Sequence, residues 1–245
     1  MERRARIEAS SREAQDLKLL LENWRKFLKE DTEPYPYQIY CDMDGVLVDF
    51  EKGAVEAINR DIQDETIETK EMLRLRRELG VSGRVGVSLA DIDKHTQPRT
   101  NVIRATRNYM YKRLGEDVEF WANLPWTDDG QELWSYISQF SPYILTAPMG
   151  EGSQTGKRLW VEKNLHPAPE KVFISHEKYE WATTDGRPNV LIDDFSTNTI
   201  PWATPRHIEG SNEKMSGFAI LHTNFKDTKA ALEYIASQAA EKSTS

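Results

Sequence analysis

The sequence contains almost no cysteine, and this scarcity excludes one class of structure. Cys41 is the single cysteine among 245 residues, so no disulfide can form within the chain. A fold stapled by internal disulfides is therefore excluded. Because Cys41 lies in an apolar stretch, we expect a small buried side chain at this position.

Long apolar runs are also absent. No stretch of about 18 apolar residues occurs, and the N-terminal segment "MERRARIEASSREAQDLK" has no apolar centre of the kind that secretory signals carry. We therefore expect no membrane span and no export, and a cytoplasmic protein. With 38% hydrophobic residues, the chain can bury one sizeable core and a small additional domain.

An overall excess of positive charge is missing as well. The formal net charge is −8, which argues against a general nucleic-acid coat, since binding phosphates needs concentrated Lys and Arg. Residues 74–113 are a local exception and form either a solvated helix face or a phosphate-attracting rim over an active site. The cations of this segment are Arg74, Arg76, Arg77, Arg84, Lys94, Arg99, Arg104, Arg107, Lys112 and Arg113.

Five short apolar runs are typical of a parallel α/β sheet. They are rich in Val, Ile and aromatic residues, and segments long enough for crossover helices separate them. The runs are "YQIYCDM", "PYILTA", "KVFIS", "NVLIDD" and "GFAILH". We predict helices over residues 129–139, 155–165 and 227–242.

The interval between the first two runs, roughly 90 residues, is longer than a simple crossover needs. We predict an inserted helical cap in this interval. One cap helix is expected over residues 65–80, ending at Gly80, and a second over residues 100–115, ending at Gly115.

The N-terminal segment carries an apolar stripe at helical spacing. We expect a helix that packs on the domain or forms the seam of a homodimer. The stripe consists of Leu17, Leu20, Leu21, Trp24 and Leu28. The predicted organisation is a helical extension at residues 1–33, an α/β core at 34–51 and 119–245, and a cap at 52–118.

Four of the apolar runs are followed by residues that can carry chemistry. In a parallel sheet, ligands collect outside the carboxyl ends of the strands, so these side chains are expected to converge. Carboxylates in one cleft repel each other unless a cation lies among them, and their hard oxygens suit Mg²⁺, which completes its shell with substrate phosphate. We therefore expect a small phosphate ester as substrate. The residues are Asp42, Asp44, Thr146, Lys178, Asp193 and Asp194.

The spacing of the first two carboxylates predicts two roles in one reaction. Residues two apart around a strand end can both face the cleft. One of Asp42 and Asp44 can attack phosphorus and form an aspartyl-phosphate, while the other moves a proton. Gly45 would let the chain turn sharply beside the phosphate.

These motifs resemble those of the haloacid dehalogenase-like (HAD) hydrolases, which are mostly Mg²⁺-dependent phosphatases. The likeness rests on "DMDGV" after one strand, "ILTA" ending a second, and a lysine before "LIDD" at the end of a fourth. Within that superfamily the sequence is most similar to the 5'(3')-deoxyribonucleotidases, through "DMDGVLVDF", "FWANLPW", "LWVEKNL" and "LIDDFSTN". The resemblance implies a Rossmann-like doubly wound sheet with a small helical cap, and hydrolysis of deoxyribonucleoside monophosphates.

The resemblance also implies roles for the four aspartates. Asp42 would be the nucleophile and a metal ligand. Asp44 would be the general acid and base, with its backbone carbonyl on the metal. Asp194 would supply the other protein ligand, and Asp193 would orient this site from behind.

The substrate-binding residues follow from the same resemblance. Thr146 and the backbone N–H of Ala147 would hold phosphoryl oxygens. Lys178 is the preferred lysine for neutralising the phosphate, and Lys157 is its competitor. Phe50 matches an aromatic residue of the base pocket, and it fits a place in the core equally well.

Two alternatives to a deoxyribonucleotidase stay open. The cations of residues 74–113 would suit a phosphatase that acts on nucleic-acid ends or on another small phosphoester. A non-catalytic binding protein on the same fold is the other alternative. The cap shows no clear counterpart of the pocket aromatics of the deoxyribonucleotidases, so the substrate rests on fewer residues than the reaction does.

Overall fold

The computed structural model describes residues 35–93, 97, 99–207 and 213–243. The predicted N-terminal helix and its dimer seam, within residues 1–33, lie outside the described residues. In the part of the chain that is described, no helix has the length and apolar character needed to cross a membrane.

Five parallel strands form the central sheet and coincide with the five predicted apolar runs. In space the order is β3-β2-β1-β6-β9, and the remaining strands form two short antiparallel hairpins. The predicted doubly wound α/β fold is therefore confirmed, with the topological switch point between β1 and β6. The strands are β1 (Ile39–Cys41), β2 (Tyr143–Thr146), β3 (Val172–Ile174), β4 (Thr183–Thr184), β5 (Arg187–Pro188), β6 (Val190–Asp193), β7 (Arg206–His207), β8 (Lys214–Met215) and β9 (Phe218–Leu221).

Nine α-helices lie within the described residues. Two short 3₁₀ turns, Ser138–Phe140 and Lys178–Trp181, accompany them. The helices are α1 (Phe50–Gln63), α2 (Lys70–Val81), α3 (Leu89–Ile92), α4 (Asn101–Leu114), α5 (Val118–Ala122), α6 (Gly130–Ile137), α7 (Glu151–Asn164), α8 (Ser196–Trp202) and α9 (Phe225–Ser243).

The central strands of the sheet are buried along their length, as the uninterrupted apolar runs predict. All three residues of β1 and all four of β6 are buried. Tyr40 of β1 and Leu191 of β6 pack with Trp202 of α8 in one core cluster. Cys41 is also buried, which confirms the expected buried side chain, and burial and the charge of Asp42 raise the pKa of its thiol well above the ordinary value.

Helix α7 begins at Glu151, four residues before the predicted start. Two glycines near its start, Gly152 and Gly156, allow close packing. A Cβ on Gly152 would lie 2.2 Å from the carbonyl carbon of Glu116, and one on Gly156 would lie 2.4 Å from Cβ of Trp121. Helix α7 can therefore approach the α5 segment more closely than side chains would permit.

The cap helices α1 to α4 share a hydrophobic core of their own, and α1 was not predicted as a separate helix. Helix α2 begins later than predicted because the Thr69 side chain accepts a hydrogen bond from the Met72 N–H at its start. It continues through Gly80 to Val81. Helix α4 ends near Gly115 as predicted, but this glycine is right-handed (φ −56°). Its missing Cβ would lie 2.8 Å from a backbone oxygen, so close packing explains the glycine.

The predicted junction between core and cap falls within α1. This helix begins at Phe50 and ends at Gln63, so it spans the predicted boundary between residues 51 and 52. The division of the chain into core and cap stays a prediction.

Candidate active site

The carboxyl ends of three neighbouring strands bring the predicted site residues together. Asp42 directly follows β1, Thr146 is the last residue of β2, and Asp193 ends β6 with Asp194 behind it. Cys41 pairs with residues of both β2 and β6, so these strand ends lie at one edge of the sheet. The edge includes the switch point, where open α/β sheets bind ligands.

A tight loop after β1 positions the first two carboxylates. The carbonyl of Met43 accepts hydrogen bonds from three successive backbone N–H groups, those of residues 46–48. Gly45 has a φ of +80°, in the left-handed region that favours glycine. A Cβ at Gly45 would lie 2.0 Å from Oδ2 of Asp194, so the loop can approach the second carboxylate pair only with glycine at this position.

Lys178 connects the carboxylates of β1 and β6. Its Nζ lies 2.8 Å from Oδ2 of Asp42 and 2.6 Å from Oδ2 of Asp193. All three side chains are buried. Burial alone would lower the pKa of Lys178, but the two carboxylates outweigh it and raise that pKa, so the ammonium stays charged.

The Asp193 carboxylate is occupied by protein donors. Besides Lys178, it accepts hydrogen bonds from the Phe195 N–H at 2.9 Å and from Nδ2 of Asn198 at 3.0 and 3.1 Å. Burial, and next the charge of Asp42, raise the pKa of Asp193 above its ordinary value. Because these donors occupy its oxygens, Asp193 is suited to orienting Lys178 and the loop that follows β6, and less suited to binding a ligand itself.

The residues at this edge fit a divalent cation. Carboxylate oxygens of Asp42, Asp193 and Asp194 lie within 4.8 Å of one another. Three carboxylates and the Lys178 ammonium leave two negative charges, which one divalent ion would neutralise. Since Asp193 is occupied by protein donors, Asp42 and Asp194 are the side chains best placed to hold the ion. Mg²⁺ is typically held by one or two carboxylates, with water and phosphate oxygens completing its shell.

Lys157 of α7 connects Asp44 to the end of β2. Its Nζ donates to Oδ2 of Asp44 at 2.7 Å, to Oγ1 of Thr146 at 2.9 Å and to the carbonyl of Ala147 at 2.6 Å. The Lys157 side chain is completely buried and lies against the ring of Trp121, with Nζ 4.9 Å from the ring centroid. The second Asp44 oxygen, Oδ1, is buried and has no hydrogen-bond partner in the described residues.

A cleft of about 740 Å³ opens between the sheet edge and the cap helices. Its floor contains Asp42, Asp44, Lys178 and Asp194. The cap side is largely apolar and aromatic. The lining residues on that side include Phe50, Ile92, Met110, Tyr111 and Trp121.

The ring of Phe50 stacks on that of Trp121, with centroids 5.1 Å apart and planes 11° from parallel. Phe50 is half-buried and Trp121 is buried, yet both line the cleft. Phe50 therefore lies at the wall of the cleft and also packs against the hydrophobic core of the cap helices.

Several of the described cap cations are engaged by groups inside the cap. Among the described cap cations, Arg107 is the one that lines the cleft, and it donates to the carbonyl of Asp93 at 2.6 Å. Arg84 pairs with Asp91, Lys112 with Glu71, and Arg113 with Asp61 and Asp117, while Arg76 donates to four backbone carbonyls.

The predicted site residues lie close together, with the two lysines in different places. Lys178 lines the cleft, whereas Lys157 lies behind it. Sequence reasoning named Arg107 as one of the cations of residues 74–113, but it missed Met110 and Tyr111. Their spacing of three and four residues from Arg107 in a helix puts all three on one face, and this was the available signal.

Solved structures resemble this chain at low sequence identity. No family model and no curated protein matches the sequence. A Bacillus subtilis protein assigned to the HAD-hydrolases and bound to magnesium is 13% identical, with a TM-score of 0.39, and the match covers 82% of this chain and 99% of that chain. A predicted phosphatase from Clostridium acetobutylicum is 11% identical, with a TM-score of 0.40, and covers 84% and 99% of the two chains.

An L-2-haloacid dehalogenase from Xanthobacter autotrophicus, with chloropropionic acid covalently bound, is similar to the same degree. It is 10% identical, with a TM-score of 0.39, and the match covers 80% of this chain and 98% of that chain.

Proposed function

We propose that this protein is a Mg²⁺-dependent phosphomonoesterase of the HAD type that hydrolyses deoxyribonucleoside monophosphates. The observation that carries the proposal is the arrangement of Asp42 and Lys178 at the switch point, with Asp44 two residues away in the same cleft. A buried carboxylate held by a lysine has a fixed direction of attack, and a second carboxylate nearby can move the proton.

The first half of the reaction uses the two aspartates in different roles. An oxygen of Asp42 forms a bond to phosphorus while the bond from phosphorus to the leaving oxygen breaks. Asp44 donates a proton to the leaving oxygen, and the product is an alcohol and an aspartyl-phosphate.

The second half restores the enzyme. Asp44, now a carboxylate, takes a proton from water as that water attacks phosphorus. The bond between phosphorus and Asp42 breaks, and inorganic phosphate leaves. Lys178, the N–H of Ala147 and the Thr146 hydroxyl are the candidates to hold phosphoryl oxygens, since the hydroxyl accepts from Lys157 and keeps its own O–H to donate.

Asp42 and Asp194 would hold Mg²⁺, with the Asp44 carbonyl as the third protein ligand that the family resemblance implies. The ion would supply positive charge at the phosphate, which otherwise enters a cleft floor of net negative charge. Lys178 contributes on the protein's side by keeping Asp42 oriented and partly neutralised.

The preference for a nucleoside leaving group rests on the aromatic wall. Phe50 and Tyr111 line the cleft on the cap side, and the buried ring of Trp121 backs that of Phe50. Flat aromatic surfaces of this kind bind bases by stacking, with little dependence on which base is present. A cleft of about 740 Å³ is in the size range of small-molecule sites.

A nucleic-acid end has less support as the substrate. A strand that continues beyond the terminal phosphate needs further cations along its path. Arg107 is the described cap cation that lines the cleft, and the lining also includes the acidic residues Asp49, Glu51 and Asp128. This pattern favours a small monoester over a polyanion.

The test is phosphate release from a panel of esters with Mg²⁺ or with a chelator. The panel contains deoxyribonucleoside 5'- and 3'-monophosphates, glycerol 2-phosphate, p-nitrophenyl phosphate and a 5'-phosphorylated oligonucleotide. We expect release from the mononucleotides that stops with chelator. Asp42→Asn is expected to lower turnover by at least about 10³-fold, because the nucleophile is lost.

Asp64→Asn is the matched control, since Asp64 is an exposed aspartate at the end of α1. It should keep full activity. Full turnover by Asp42→Asn would reject Asp42 as the nucleophile. Release from the oligonucleotide alone would favour the nucleic-acid substrate.

A further inference from the structure

Lys157 is a buried lysine that has no role in the reaction steps proposed above. Its side chain is completely inaccessible to solvent, although an ammonium is costly to bury unless it is paired. Methionine would fill similar space without that cost. The position therefore calls for the charge or the hydrogen bonds of lysine.

All three donors of the Lys157 ammonium are in use. They go to Oδ2 of Asp44, Oγ1 of Thr146 and the carbonyl of Ala147, at 2.6 to 2.9 Å. A lysine has three N–H groups, so none is left over for a phosphate oxygen. Lys157 also does not line the cleft, whereas Lys178 does.

The Asp44 carboxylate depends on this lysine. Within the described residues, Lys157 is its one hydrogen-bond partner, since Oδ1 has none. The other two bonds of Lys157 go to Thr146 and Ala147 at the end of β2. Lys157 therefore fixes a side chain from the loop after β1 to the neighbouring strand.

The geometry points to Lys157 as a positioning residue that holds the Asp44 carboxylate for proton transfer and does not bind phosphate. This inference rests on the proposed function, in which Asp44 donates the proton to the leaving oxygen. Without Lys157, the carboxylate would rotate about its side-chain bonds and spend less time at the leaving oxygen. Attack by Asp42 and phosphate binding at Lys178 would remain.

Leaving groups of different basicity separate this role from the alternatives. An alkoxide needs a proton as it departs, whereas p-nitrophenolate leaves with little help. A misplaced proton donor therefore slows alkyl phosphates much more than p-nitrophenyl phosphate. Loss of a phosphate-binding lysine would slow both and weaken inhibition by inorganic phosphate. A purely structural lysine would lower both rates by the same factor.

The experiment measures kcat/KM of the full chain and of Lys157→Met with Mg²⁺, for the fastest alkyl phosphate of the panel above and for p-nitrophenyl phosphate. We expect a loss of about 100-fold for the alkyl ester and less than about 5-fold for the aryl ester. The inhibition constant of inorganic phosphate should change by less than about twofold. Lys157→Gln, which keeps a donor, carries the same test should the methionine variant fail to fold.

A double variant shows whether Lys157 acts through Asp44. In the Asp44→Asn background, Lys157→Met should cost no further activity toward the alkyl ester, because the group it positions has already lost its function. Equal losses for both esters, a tenfold weaker inhibition by phosphate, or additive losses in the double variant would overturn the positioning role. A wild type that releases no phosphate from any ester would overturn the proposed function and this inference with it.

Discussion

Gly45 and Asp194 are packed so closely that no side chain fits between them. A Cβ on Gly45 would lie 2.0 Å from Oδ2 and 2.5 Å from Cγ of Asp194. The loop that carries Asp44 can therefore lie this close to the end of β6 that carries Asp194 only when residue 45 is glycine. Glycine is required here for its left-handed φ and for the space it leaves.

The first prediction concerns Gly45→Ala. The new methyl group would displace the Asp194 carboxylate, so we expect weaker activation by Mg²⁺ and at least a tenfold loss of turnover, roughly 1.4 kcal/mol or more in the barrier. The measurement is phosphate release against Mg²⁺ concentration.

Gly83→Ala is the matched control for this prediction. Gly83 has a φ of +69° and has no heavy atom within 4 Å of its missing Cβ. It should lose about 1 kcal/mol of stability from the unfavourable φ and keep its activity. Equal activity in the two alanine variants would contradict the role given to Gly45.

The second prediction concerns Lys178→Met. This change leaves the buried carboxylates of Asp42 and Asp193 without their shared cation, and breaking such a pair costs about 3–5 kcal/mol of unfolding free energy. Adding Asp193→Asn should recover part of the loss, because one of the two unpaired charges is then gone. Urea unfolding at neutral pH measures both variants.

A surface ion pair provides the comparison. Lys112, whose side chain is 71% exposed, lies 2.7 Å from Glu71, and Lys112→Met should leave the urea midpoint unchanged. Equal stability of the single variant Lys178→Met and the double variant would argue against repulsion between the two buried acids.

The third prediction compares two helical glycines. Gly156→Ala would press a methyl group against Trp121 and the carbonyl of Val118, at 2.4 and 2.6 Å, so we expect a loss of about 1–3 kcal/mol. Gly80 is exposed in α2 with open space around it, so Gly80→Ala should gain about 0.5 kcal/mol. Thermal unfolding measures both. A stabilised Gly156→Ala variant would show that α7 and the α5 segment have room to separate.

The fourth prediction concerns pH and His222. This histidine is buried, its Nδ1 lies 2.9 Å from Oγ1 of Thr228, and burial lowers its pKa below the ordinary 6.5 despite Asp129 nearby. The unfolded chain therefore binds a proton at a higher pH than the folded chain does. This contribution to stability is complete above about pH 7 and decreases as the pH falls through 6.5.

The comparison with His222→Gln isolates this effect. The raised pKa of Asp193 acts in the opposite sense. Below that raised pKa the folded chain binds a proton at Asp193 more readily than the unfolded chain does, so this group stabilises the fold as the pH falls toward the ordinary pKa of an aspartate. The difference in unfolding free energy between wild type and His222→Gln should shrink between pH 7.5 and 5.5. His176→Gln, at an exposed position, should follow the wild type. A difference that does not change with pH would reject the assignment.

The strands and their terminal acids were predictable because both are local patterns. Each acid directly follows an apolar run, and parallel strands put their carboxyl ends at one edge. The partner of Lys157 was not predictable, since Asp44 lies 113 residues away in sequence and only the packing of α7 brings them together. The sequence favoured Lys178 over Lys157 as the phosphate-binding lysine but left both open, because both match basic positions of the family. The structure adds that Lys178 lines the cleft and Lys157 does not.

Glycine had two meanings that sequence alone did not distinguish. Gly80 was expected to end a helix, yet α2 continues through it, whereas Gly152 and Gly156 allow a helix to pack closely. The cations of residues 74–113 posed a similar problem. Charge counting does not reveal that Arg76 donates to backbone carbonyls or that Arg84 pairs with Asp91.

The alignment of β1 with its two neighbours has a practical consequence for work with refolded protein. Cys41 pairs with Ile144 on one side and with Ile192 on the other, and this pairing puts the carboxylates at one height. A slip of one residue would move Asp42 by about 3.3 Å and turn it to the opposite face of the sheet. Specific activity after refolding would therefore measure the fraction of molecules in which β1 is paired with β2 and β6 in the correct register.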